Sequence, residues 1–82
     1  MFHKVKEVIP IENMLLKVKF VNDRTKIYDV KPLMKKWKVF EKLKNEEVFK
    51  KVQVDQGGYG ISWNDDIDLE CNELWENGTI IE

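Results

Sequence analysis

The chain has 82 residues, 43% hydrophobic and 35% charged, with a net charge of −1. That length holds one domain and no second core, and such a domain buries only ~60–65% of the surface its unfolded chain exposes. A lone Cys71, charges throughout the opening MFHKVKEV, and no apolar run near the ~20 residues of a membrane span argue against a disulfide scaffold, a signal peptide and a transmembrane helix, leaving the cytoplasm as the expected location.

Val5, Val8 and Ile9 open an edge strand that Pro10 is expected to end, since proline donates nothing to a ladder. Leu16, Val18 and Phe20 alternate with Lys17 and Lys19, Asn22-Asp23-Arg24 turns the chain, and Lys26 to Val30 returns as the second strand of a hairpin. In the return strand Lys26, Tyr28 and Val30 share one face and Ile27 and Asp29 the other; pattern alone does not say which is inward. Pro32 suits the first turn of a helix carrying Leu33, Met34 and Trp37 inward, and Phe40 and Leu43 continue the apolar stripe after a break near Lys38. Asn45 reads as the N-cap of a second short helix with Val48 and Phe49 turned inward.

A second hairpin follows over Lys51–Asp68. Val52 and Val54 alternate with polar residues, Gln56-Gly57-Gly58 supplies the turn, and Ile61 and Trp63 lie on the apolar face of the returning strand. Asn64-Asp65 turns the chain again before a short strand with Ile67 and Leu69. Leu74 and Trp75 sit in a last helical turn that Asn77-Gly78 terminates. The expected architecture is an α+β domain over residues 1–82: a small antiparallel sheet of two hairpins with short helices packed between and after them, an ordered core over 1–78, and a frayed tail at 79–82.

Charge is unevenly spread. Residues 31–51 carry eight lysines against three glutamates, a net of +5, whereas residues 52–82 carry eight acids and no Lys or Arg. The two segments either neutralise one another as neighbours or present opposite faces to partners, and the first is the expectation.

Taken together, Phe20, Tyr28-Asp29-Val30 with Pro32-Leu33, Phe40…Leu43, Phe49-Lys50-Lys51-Val52, Gly57-Gly58, Ile61…Trp63-Asn64, Ile67-Asp68-Leu69 and Leu74-Trp75 resemble the bacterial family known as domain of unknown function 2442. The resemblance spans nearly the whole chain, and its most telling part is Trp-Asn…Ile-Asp-Leu after the glycine-rich turn. It departs at the first hairpin, where members usually have Asp-Gly or Asn-Gly, and at Trp75, where a Tyr is common. The resemblance implies a compact α+β fold, bacterial cytoplasmic origin and no enzymatic activity. Some members carry a helix-turn-helix domain behind this one; others stand alone beside a second small protein, and this chain is similar to the stand-alone type.

Candidate chemistry is sparse. Asn64, Asp66, Asp68 and Glu70 form an acidic stripe with period two, Asp65 adjacent to it, that could hold a divalent cation, but Leu69 stands where a calcium loop needs its glycine; the simpler reading is a solvated face, with Asp68 as a cap for the final helix. Asp65, Asp66 and Asp68 are better candidates for a partner-binding acidic edge. Tyr59, at a hairpin tip, is either an interface anchor or a lid over its own turn. Lys35, Lys36, Lys38 and Lys42 could contact phosphates, although the nearby Trp37 and Phe40 read as core and no arginine is present there for base readout. His3 lies near the terminus without a partner, Ser62 has no nucleophile elbow around it, and acids surround Cys71. The sequence therefore points to a non-enzymatic binding module without a cofactor, whose partner is another small protein as in a toxin–antitoxin-like pair, with association through sheet edges as a further expectation. A nucleic-acid accessory using Lys31–Lys51 is the alternative, and a metal-dependent activity at Asp65, Asp66 and Asp68 the weakest.

Overall fold

The computed structural model describes residues 1–82. Alternation in the first third produces three antiparallel strands, β1 (Val5–Ile11), β2 (Leu15–Phe20) and β3 (Thr25–Asp29). Leu16, Val18 and Phe20 are fully buried, and the register sets Leu16 beside Tyr28 and Val18 beside Lys26, so the face of β3 carrying Lys26 and Tyr28 is the inward one. Pro10 does not end β1: it pairs with Leu16 inside the strand, tolerated because β1 is the edge of its sheet. Between β2 and β3 the Phe20 N–H donates to the Arg24 carbonyl at 2.8 Å, which closes a three-residue loop, 21–23. Asp23 takes the left-handed conformation (φ 68°) that a glycine fills in a hairpin of this length, and Asn22 Oδ1 accepts the Arg24 N–H at 3.0 Å.

Helix α1 (Leu33–Lys36) breaks at Trp37, whose backbone is extended (φ −133°, ψ 115°), and a 3₁₀ segment, Lys38–Lys44, follows with Phe40 and Leu43 inward. Asn45 caps α2 (Glu46–Phe49), its side chain accepting from the N–H groups of Glu47 and Val48. Strand β4 (Gln53–Val54) is only two residues long. It pairs with β5 (Gly60–Asn64) across the Gln56–Gly58 turn, and β5 pairs with β6 (Ile67–Glu70) across Asp65-Asp66, where Asn64 Oδ1 accepts from the N–H groups of Asp66 and Ile67. Gly58 is required where it stands. Its φ is +80°, and a Cβ there would lie 2.6 Å from the carbonyl oxygen of Val5.

Helix α3 (Cys71–Asn77) begins directly from β6 with Glu70 at its N-cap position and no side-chain cap; Asp68 stays in the strand and does not cap it. Gly78 ends the helix. The last residues do not fray: β7 (Thr79–Ile80) adds to β3, with Ile27 opposite Thr79, and Thr25 exchanges backbone bonds with Ile81 and Glu82. The α+β class holds, with the strands divided between two antiparallel sheets, β1-β2-β3-β7 and β4-β5-β6.

One core of 17 buried residues joins both sheets to the helices. Trp63 sits in it as the alternation requires, its indole N–H donating to the Phe49 carbonyl at 3.0 Å and its ring between Phe40 and Phe49. Trp75 forms a second cluster at the margin. His3 stacks flat on it at 4.1 Å, Phe20 meets it edge-on at 5.0 Å, and Lys26 Nζ lies 4.0 Å from its ring centroid while donating to the Trp75 carbonyl. This packing anchors the N-terminal residues, and the His3 N–H also donates to Asn72 Oδ1. Lys26 tolerates the inward face because its stem lies along apolar surface while its charge finds a carbonyl and a π face.

Candidate functional site

Every helix and the second sheet pack against one face of the four-stranded sheet. Leu33, Phe40, Leu43, Phe49 and Leu74 share the core with Leu16, Val18, Phe20 and Tyr28, and Tyr28 donates to Glu73 on α3 at 2.8 Å. The opposite face carries no element. Such a face ordinarily alternates polar-out, but here β1, β2 and β3 are apolar on both sides: Val8-Ile9, Leu15-Leu16 and Ile27-Tyr28 each put one aliphatic or aromatic group inward and another outward.

The register gathers the outward members. Ile11 lies opposite Leu15, Ile9 opposite Lys17, and Lys17 opposite Ile27. Ile9 and Ile11 are exposed (41% and 37%), Leu15 and Ile27 are half-buried, and the four surround the stem of Lys17. Glu7, Lys19 and Asp29 rim the patch. Inference from the sequence missed this surface; the signal available was the doubled apolar pairs, which mark strands covered on both faces.

The turn at one end of the patch is strained. Asn13 and Met14, between β1 and β2, both have positive φ (61° and 57°), which costs of order 1 kcal/mol or more at a non-glycine residue. The Met14 carbonyl accepts from the Val30 N–H, and the Asn13 carbonyl from Lys31 Nζ, which hold the turn against α1. A groove of about 520 Å³ opens beside it, with Pro10, Ile11 and Met14 on one wall and Leu43, Phe49 and Lys50 on the other. The exposed sheet face and this groove share Ile11.

The residues singled out from the sequence are not brought together. Tyr59 precedes β5 and Asp65 follows it, so the strand separates them. Tyr59 is 48% exposed but has partners of its own, Phe2 edge-on at 5.3 Å and Lys4 Nζ 4.9 Å from its ring centroid. Asp65, Asp66 and Asp68 are exposed; the first two form the β5–β6 turn and Asp68 lies outward opposite Ser62. No three His, Cys, Asp or Glu side chains meet in a geometry for a metal ion. Ser62 donates to Asp55 at 2.6 Å, a brace within the second hairpin, and Cys71 is fully buried. The Tyr28 phenol is pushed well above its ordinary range, by burial first and then by the Glu73 carboxylate, so it stays a neutral donor.

Lys35, Lys36, Lys38 and Lys42 are exposed, and Trp37 among them is 54% exposed instead of buried. The extended backbone at Trp37 removes it from the helical stripe. Neither salt bridge, Lys6–Asp23 or Lys31–Asp29, joins the basic third to the acidic one.

No helix is long and apolar enough to cross a membrane. Compared with known families, residues 5–79 match the one described as "Protein of unknown function (DUF2442)". No curated protein and no solved structure matches the chain.

Proposed function

The chain belongs to the DUF2442 family, and from that premise we propose that it is a non-catalytic protein-binding module whose docking surface is the open face of the four-stranded sheet. The observation that carries this reading is the cluster of Ile9, Ile11, Leu15 and Ile27 on a face that no other element covers. Aliphatic groups gathered on one sheet face gain from leaving water, at about 25 cal/mol per Å² of apolar surface, and a second protein supplies that burial. Lys17 at the centre indicates the partner's character. A two-fold axis through the patch would set Lys17 against its own copy, so the face suits a different chain that offers apolar groups and a carboxylate. Edge pairing has less support, because Gly58 shields the start of β1 and β7 is two residues long. In a two-protein module of the toxin–antitoxin kind this chain is the neutralising component, acting by occupancy of a surface in the cytoplasm and not by turnover.

The test is affinity capture of the tagged protein from its host lysate, run beside the double variant Ile9→Lys/Ile11→Lys. A single small protein retained near equal amount by the parent and lost by the variant, with thermal unfolding of the two alike, is the expected result. Retention that ignores both substitutions would refute the assignment of this face.

A further inference from the structure

Between α1 and the Lys38–Lys44 segment, Trp37 is held out of the core among lysines. Its extended backbone interrupts the apolar stripe between α1 and the Lys38–Lys44 segment and leaves the ring 54% exposed. Phe40 supports it from below, ring centroids 6.2 Å apart and tilted by 51°, and Lys36 Nζ stands 5.9 Å from its centroid. Lys35, Lys38 and Lys42 are exposed on the same stretch, none of these four lysines is in a salt bridge, and Glu41 is the only acid between Lys35 and Lys44. Such an aromatic gains nothing from the core it leaves, and the unpaired cations around it attract an anion that also has flat faces.

We infer that Trp37 with Lys35, Lys36, Lys38 and Lys42 forms a platform for single-stranded nucleic acid, a base stacking on the indole and neighbouring phosphates meeting the ammonium groups. An acidic peptide would match the charge but leave the indole unstacked. Duplex DNA fits poorly, since α1 has four residues and no arginine lies nearby to read base edges. Sequence-tolerant stacking needs neither. Four lysine–phosphate contacts give a slope of log K against log salt of about −3, so affinity falls roughly 50-fold between 50 and 200 mM salt. Loss of one stacked base weakens binding by about 5- to 150-fold.

Fluorescence anisotropy of a labelled oligouridylate with the full chain tests this, with inorganic polyphosphate and polyglutamate as competitors. The expected results are binding at low salt with the slope above, loss of about an order of magnitude in Trp37→Ala, retention in Trp37→Tyr, and a shallower slope in Lys35→Gln/Lys36→Gln/Lys38→Gln. Circular dichroism of each variant checks the fold. Absence of binding at low salt, competition by polyglutamate as strong as by unlabelled oligouridylate, or equal affinity of parent and folded Trp37→Ala would each overturn the platform.

Discussion

Replacing Tyr28 with phenylalanine removes one oxygen from the contact that ties β3 to α3, and both the magnitude and the pH dependence follow from its surroundings. The phenol is buried and donates to Glu73 Oε2 at 2.8 Å, an oxygen that also accepts from Asn77 Nδ2 at 2.9 Å. A bond to a charged acceptor contributes ~1.5–3 kcal/mol, and because half-buried Glu73 keeps Asn77 and water after the substitution, the lower end applies: about 1.5 kcal/mol at neutral pH. In a domain of this size that is a fall in Tm of roughly 6–12 °C. The phenol is raised in the folded state, by burial first and by Glu73 next. Its stabilisation is therefore whole below the unfolded value of about 10 and is lost as pH rises beyond it, where only the unfolded chain ionises. Above pH 10 the slope approaches about 1.4 kcal/mol per pH unit, the value for one proton bound in the folded state and lost in the unfolded one. The difference between parent and variant isolates Tyr28. Urea unfolding followed by tryptophan fluorescence from pH 7 to 11 should show Tyr28→Phe weaker by a constant amount to about pH 9.5, with the gap closing near pH 11. A gap that stays level to pH 11, or no gap at pH 7, would refute the account of a buried phenol held by Glu73.

Two further substitutions test the turns. Gly58→Ala combines a positive φ with a Cβ 2.6 Å from the Val5 carbonyl oxygen, in backbone that cannot yield cheaply, and should cost more than about 2 kcal/mol in a thermal melt, with faster amide exchange at the start of β1. Asp23→Gly relieves the left-handed residue of the first hairpin and gives up only an exposed 3.9 Å contact with Lys6; thermal unfolding should show a gain of about 0.5 kcal/mol, and a loss would mean that the aspartate is favoured in that conformation.

Elements set by neighbouring residues were legible in the sequence. Alternation fixes which side of β2 and β5 is inward, because successive side chains on a strand point oppositely whatever lies beyond them. The Asn45 cap, the Gln56-Gly57-Gly58 and Asn64-Asp65 turns, and the stop at Gly78 follow from side chains and backbone torsions within a few residues, and so does the α+β class. The family resemblance, carried by the order of such local features, belongs with them. Asp23 shows how a turn that usually takes glycine is kept without it: the loop has three residues, and an aspartate accepts the left-handed torsion.

What tertiary structure alone decided is cover and company. Local pattern could not say that Lys26 lies on the inward face, because its place there depends on the carbonyl and ring of Trp75, far along the chain. The tail at 79–82 looked free because nothing near it in sequence pairs with it; the exposed edge of β3 is its partner. Trp37 fits a helical stripe until one extended residue turns it outward, and His3 has a place only once α3 has brought Trp75 beneath it. The candidate docking face was hidden for the same reason. Ile9, Leu15 and Ile27 each read as an extra apolar residue in a strand, and they become a surface only when the register aligns them and every helix has gone to the other side. Strand periodicity is a property of the chain, whereas burial depends on which distant segment arrives, so sequence alone determined the strands and turns while the fold determined which face remains open.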